Sequence, residues 1–218
     1  MSKEEWCPGI QEDAYQGALG LGWEGLAGKD LATQANLAGG VLQKGTVGLR
    51  VFGRDCIIDP ACKCISMDGR PVKELGAIII LHYLANATVA QPTGKTLSYR
   101  QMPGGNVYYP AFKTRVIDNI GTVFHQNPML LIASAKLLGA KKLGFGDASV
   151  LINVLPKVPV TVIVWKGDDE VRGTANVLFD ESAPQFLNTE DLAAVGTFVV
   201  SQLIKSKASM VRDVQSTG

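Results

Sequence analysis

The sequence predicts an α+β protein, a mainly antiparallel sheet packed against helices in a single domain. Three observations lead there. Runs of β-branched and aromatic residues cluster at 47–67 and 149–179 apart from the helical patterns, the connections between them are short, and 218 residues suit one core. With 46% hydrophobic residues the chain holds too much apolar material for a disordered chain or a fibre.

The elements follow in order. Between 11 and 37, Leu19, Leu26, Leu31 and Leu37 suggest short helices, but Gly17, Gly20, Gly22, Gly25 and Gly28 keep interrupting. Positions 47–53 and 56–58 read as strand, Asp59-Pro60 as a turn, and 62–67 as a returning strand closed by Asp68-Gly69. Residues 73–87 predict a helix apolar over most of its circumference, and therefore central. A short strand at 96–99 and a turn at 103–106 precede helices at 111–125 and 129–138, the latter stopped by Gly139. Strands follow at 149–155, 160–165 and 172–179, with a hairpin loop at 167–170. Asn188 and Asp191 open the last helix, whose Leu192, Val195, Val199 and Leu203 mark its buried face. The reading divides the chain into an N-terminal helical or irregular segment (1–44), the α+β domain (45–205) and a frayed tail (206–218).

Charge and ends narrow the function classes. With 21 basic and 20 acidic side chains the net charge is +1, and no basic stripe appears, so nucleic acid is not an expected partner. The start is charged and lacks the apolar run of a secretory signal, which points to a cytoplasmic protein with reduced thiols. The apolar stretch 75–90 is broken by His82, Asn86 and Thr88 and falls short of the ~18 residues that span a bilayer, so no membrane insertion is expected.

Several residues have chemistry to offer. Cys56, Cys62 and Cys64, with a distant Cys7, are the candidate ligands for a soft metal or cluster, although no Cys-x-x-Cys is present. On a two-residue turn at Pro60-Ala61, Cys62 and Cys64 share one face of the hairpin and Cys56 points to the other. His82, on the buried helix, is a candidate ligand or acid–base group, against a packed histidine bonded to backbone. His125 sits in the last turn of its helix, where a cation offsets the dipole. Gly144-Phe145-Gly146-Asp147 lacks the following helix that a phosphate loop needs, which leaves Asp147 as a turn residue at a site edge. Asp168, Asp169 and Glu170 at one end of a hairpin, and Asp180 and Glu181 at the other, offer oxygen ligands but read first as solvated turn charges. Arg54 and Arg100 are candidate clamps for a carboxylate or phosphate.

Read together, Leu49-Arg50-Val51-Phe52-Gly53-Arg54, Ile80-Leu81-His82-Tyr83-Leu84, Leu97-Ser98-Tyr99-Arg100, Gly146-Asp147, Leu155-Pro156, Asp169-Glu170, Leu178-Phe179-Asp180 and Glu190-Asp191 form an ordered set. The set resembles the domain-of-unknown-function family 3786 over about residues 45–205. The resemblance implies a cytoplasmic protein of a strict anaerobe, associated with corrinoid or iron–sulfur proteins. Some members carry an N-terminal cluster-binding segment; here Cys7 stands alone, so its iron–sulfur cofactor does not carry over. The candidate cofactor-binding positions are Arg54, His82, Tyr83, Arg100, Asp147, Asp169 and Glu170, and catalytic residues stay unknown.

Two readings follow. The first is an accessory protein that binds a tetrapyrrole or corrinoid cofactor, or a partner protein bearing one, through an apolar pocket with few polar anchors. The second is an enzyme in which Asp147, Asp169, Glu170 and His82 converge, with a divalent metal. A structural scaffold or homodimer is a third.

Overall fold

The structure, a computed structural model, describes residues 8–167, 170 and 173–216. It opens with α1 (Pro8–Ala27) and α2 (Leu31–Leu37). A meander follows: β1 (Val41–Gln43), β2 (Thr46–Val51), β3 (Arg54–Asp59), β4 (Cys64–Met67) and β5 (Arg70–Pro71), antiparallel in chain order. Then come α3 (Glu74–Ala85), β6 (Thr96–Ser98), α4 (Gly105–Phe112), a π turn (Lys113–Ile117), α5 (Asp118–Phe124) and α6 (Met129–Lys136). The chain ends with β7 (Lys141–Leu143), β8 (Ala148–Leu155), β9 (Val158–Trp165), β10 (Thr174–Asp180) and α7 (Thr189–Ser216). The second sheet runs β6-β10-β9-β8-β7, again antiparallel throughout, which makes the fold α+β with two sheets.

Turn chemistry fixes the first sheet. Three of its hairpins close on two residues that both have positive φ, Lys44-Gly45, Phe52-Gly53 and Asp68-Gly69, as the type I′ turn requires. Phe52 is the unusual member, a bulky side chain at φ 50° and fully buried. Two contacts hold it there: its N–H donates to the Val154 carbonyl at 3.1 Å, and its ring meets Phe198 edge-on at 4.9 Å. The strain of a left-handed aromatic, of order 1 kcal/mol, is thus offset where the two sheets and the last helix join.

The second sheet buries one face completely. Val150, Ile152 and Val154 of β8, Val160, Val162 and Val164 of β9, and Ala175, Val177 and Phe179 of β10 line that face beneath α5 and α6. Helix α3 lies between α1 and α7, and residues 76–81 and 83–85 are all buried, as its all-round apolar sequence demands. Leu192, Val195, Val199 and Leu203 of α7 are fully buried, as their spacing predicts.

Elsewhere the elements differ from the sequence reading. Gly17, Gly20, Gly22 and Gly25 do not interrupt α1, which is continuous to Ala27; the break falls at Gly28, and α2 is the one short helix of this stretch. Gly22 and Gly25 are where α1 approaches α3: a Cβ at Gly22 would stand 3.1 Å from Leu81 Cβ, and one at Gly25 3.8 Å from Ala85 Cβ. The expected helix at 111–125 begins earlier, at Gly105, runs through Pro110 and passes through the π turn. A proline supplies no donor, and a wider turn directly follows it. Helix α7 continues past 206 to Ser216, where a frayed tail was the expectation. Arg172, expected to begin β10, lies outside the described residues, as does Cys7. Among the described residues, no helix is long and apolar enough to cross a membrane.

Candidate functional site

The outer face of the second sheet carries the site. An antiparallel sheet with one face on the core usually turns polar residues outward. Here the register stacks apolar side chains on the outer side as well: Leu143 of β7 and Ile163 of β9 flank Ser149 of β8, and Leu151 of β8 and Leu178 of β10 flank Thr161 of β9. They line a groove of about 650 Å³ whose polar side chains are Thr93, Thr96, Asn153, Thr161 and Asp180. That volume lies within the roughly 300–1,000 Å³ of small-molecule pockets.

Each end of the groove is built by a loop. At one end Phe145, between two glycines, is 58% exposed, and its N–H donates to Ser149 Oγ at 2.8 Å. At the other, the segment Pro92-Thr93-Gly94 is fastened to Asp180. Asp180 Oδ1 accepts from Thr93 N at 3.1 Å, from Ser182 N at 2.9 Å and from Ser182 Oγ at 2.7 Å, while Oδ2 accepts from Gly94 N at 2.7 Å. Burial pushes the Asp180 carboxyl up, but these donors outweigh it and hold it below its ordinary value. The buried Lys157 ammonium donates to the Thr88 and Ala90 carbonyls at 3.2 and 3.0 Å, fixing the chain that leads into this wall.

Among the described residues, none of the positions picked from the sequence for cofactor binding lines this groove; Asp180, read from the sequence as a solvated turn charge, does line it and is buried. His82 sits on α3 with Nδ1 2.8 Å from Asp191 Oδ1. That bond first, then the Asp191 charge and the Ala18 carbonyl, outweigh burial and raise the His82 pKa above its ordinary value. Its partners therefore sit on α7 and α1, which makes it a bridge between helices. Tyr83 is buried, donates to the Ala38 carbonyl at 2.7 Å and accepts from Lys157 N at 3.2 Å; burial raises its pKa. Arg54 donates to Gln202 Oε1 at 2.8 Å, with Asp68 Oδ2 at 3.8 Å from its Nε. Arg100 stacks on the Tyr109 ring at 4.0 Å. Asp147 accepts from Lys166 N at 2.7 Å at the edge of β9. Glu170 is exposed, and Asp168 and Asp169 lie outside the described residues. His125 caps the C-terminus of α5.

The cysteines separate. The turn after β3 has four residues, since Asp59 pairs with Cys64, so the two-residue turn at Pro60-Ala61 is not formed. Cys56 is buried, and burial pushes its thiol up to about 12, while Cys62 and Cys64 are exposed. Among the described residues, no three His, Cys, Asp or Glu side chains meet in a metal-binding group. The groove lining itself contains no histidine, cysteine, methionine, lysine or arginine, so it offers no side chain to ligate iron or cobalt and no cation for acidic substituents. A haem-type tetrapyrrole or corrinoid ligated by the protein does not fit it.

The sequence reading missed Leu143, Phe145, Leu151, Thr161, Ile163 and Leu178. One signal was present: the run 158–165 is apolar at nearly every position, unusual for an antiparallel strand with one solvated face.

Fold and site together define an α+β protein of two antiparallel sheets with an apolar groove on one of them. The chain belongs to the family described as Domain of unknown function (DUF3786), whose model matches residues 30–202. No curated protein and no solved structure matches it.

Proposed function

We propose that this protein is an accessory binding protein whose ligand is a small, largely apolar molecule seated on the outer face of the second sheet. The observation that carries the reading is the stacking of Leu143, Leu151, Ile163 and Leu178 on a face that no described helix covers. A concave, mostly apolar surface with a few polar groups at its walls is the usual form of a small-molecule site. The family resemblance supports the wider setting, a cytoplasmic role beside corrinoid or iron–sulfur proteins of anaerobic metabolism. An acid–base enzyme built on His82 gains no support, because its partners are Asp191 and a backbone carbonyl instead of an open pocket.

The test uses a neutral apolar dye, N-phenyl-1-naphthylamine, whose emission rises out of water. Saturable binding of one dye per chain is expected, lost in Leu151→Arg and retained in Leu21→Arg, a substitution at an exposed helix position. Far-ultraviolet circular dichroism confirms that both variants fold. Equal dye binding by Leu151→Arg and the native protein overturns the reading.

A further inference from the structure

Away from the groove, the turn between β3 and β4 brings two thiols together. Asp59 and Cys64 are its closing pair, and Lys63, at φ 52°, reverses the chain between Cys62 and Cys64. Both cysteines stay exposed. Cys64 Sγ donates to the Cys62 carbonyl at 3.2 Å, and Cys62 Sγ lies 3.9 Å from the Asp59 carbonyl. Cys64 also lines a cleft of about 590 Å³ between α1 and the β4–β5 hairpin, with Leu19, Trp23 and Glu74 among its walls. Cys56 takes no part: it pairs with Met67 and is buried, while Cys64 lies on the opposite face of the hairpin.

We propose that Cys62 and Cys64 form a two-thiolate chelating site for a soft, low-coordinate metal ion of the copper(I) class. Thiolates select soft ions, and a site with two of them suits an ion content with two ligands, whereas zinc and iron–sulfur clusters take four. Binding is proton exchange without electron transfer: two S–H bonds break, two copper–sulfur bonds form, and two protons leave to solvent.

The experiment titrates the apo-protein, anaerobically, into the coloured copper(I)–bicinchoninate complex. A Cys7→Ser background removes the one cysteine outside the described residues. The site predicts that one copper per chain leaves the dye. Cys62→Ser and Cys64→Ser should each weaken binding by more than the roughly 10–100-fold that an outer-shell change costs, and Cys56→Ser should leave it unchanged. Both thiols are exposed, so the serine variants keep the fold, which circular dichroism verifies. Failure to withdraw copper, retention of copper by both serine variants, or dependence on Cys56 each overturns the assignment.

Discussion

His82 Nδ1 and Asp191 Oδ1 stand 2.8 Å apart and join the central helix α3 to the first turn of α7. Glu190 adds a second negative charge and the Ala18 carbonyl an acceptor, so the imidazolium form is favoured in the folded protein. The folded pKa is raised above that of the unfolded chain. The stabilisation is therefore fully present below about pH 6.5, the unfolded value, and is lost as pH rises through the higher folded value. Replacing His82 by Gln should cost about 1.5–3 kcal/mol at pH 5.5, as expected for a hydrogen bond to a charged group, and distinctly less at pH 9. Urea unfolding of both proteins at the two pH values reads this, and a pH-independent difference refutes it.

Helix α1 carries glycines of two kinds. A Cβ at Gly17 or Gly20 would meet nothing within 4 Å, whereas one at Gly22 would press on Leu81 and His82. Gly17→Ala and Gly20→Ala should each stabilise the protein by about 0.5–1 kcal/mol through helix propensity. Gly22→Ala should destabilise it, since Leu81 is fully buried and cannot move aside. Thermal unfolding of the three variants decides, and the idea fails if all three shift in the same direction.

Tyr83 ties three parts of the chain through one hydroxyl, which serves the Ala38 carbonyl and the Lys157 amide. Tyr83→Phe leaves both backbone groups unpaired in a buried place, at about 1–3 kcal/mol. A fall in Tm of roughly 2–4 °C per kcal/mol is expected for a chain of this size. An unchanged Tm would show that the hydroxyl is dispensable.

Much of the fold was legible in the sequence. The buried stripe of α7, the all-round apolar α3 and the three long strands of the second sheet announce themselves by period, because tertiary packing there reinforces local pattern. The continuity of α1 was hidden, since its glycines are poor helix formers and only contact with Leu81 and Ala85 explains two of them. The short edge strands β1, β5 and β7 have no periodicity to read at two or three residues. Candidate chemistry fared differently. Polar residues such as His82, Tyr83 and Arg54 attract attention in a sequence, and here they bridge elements of the fold. The groove consists of ordinary Leu, Ile and Thr side chains whose convergence depends on the register of four neighbouring strands, which no local pattern encodes.

Asp180 should link stability to ligand affinity, because its carboxylate fastens Thr93 and Gly94, the wall of the groove. Asp180→Asn turns one acceptor oxygen into a donor facing N–H groups, so Tm should fall and the dye should bind several-fold more weakly. In the native protein the Asp180 pKa is depressed, so its stabilisation is present above the unfolded value near 3.9 and is lost as pH falls through the folded one. The variant should accordingly show a smaller loss of stability on acidification than the native protein. Full dye affinity in Asp180→Asn would separate this carboxylate from the groove.

The most direct test of the binding reading is amide chemical-shift mapping of the labelled protein during titration with N-phenyl-1-naphthylamine. The account predicts shifts confined to Thr93, Gly94, Thr96, Leu143, Phe145, Leu151, Asn153, Thr161, Ile163 and Leu178, the two loops and five strands of the groove. Shifts that cluster instead around His82, Arg54 and Arg100, with the outer sheet face silent, would contradict it.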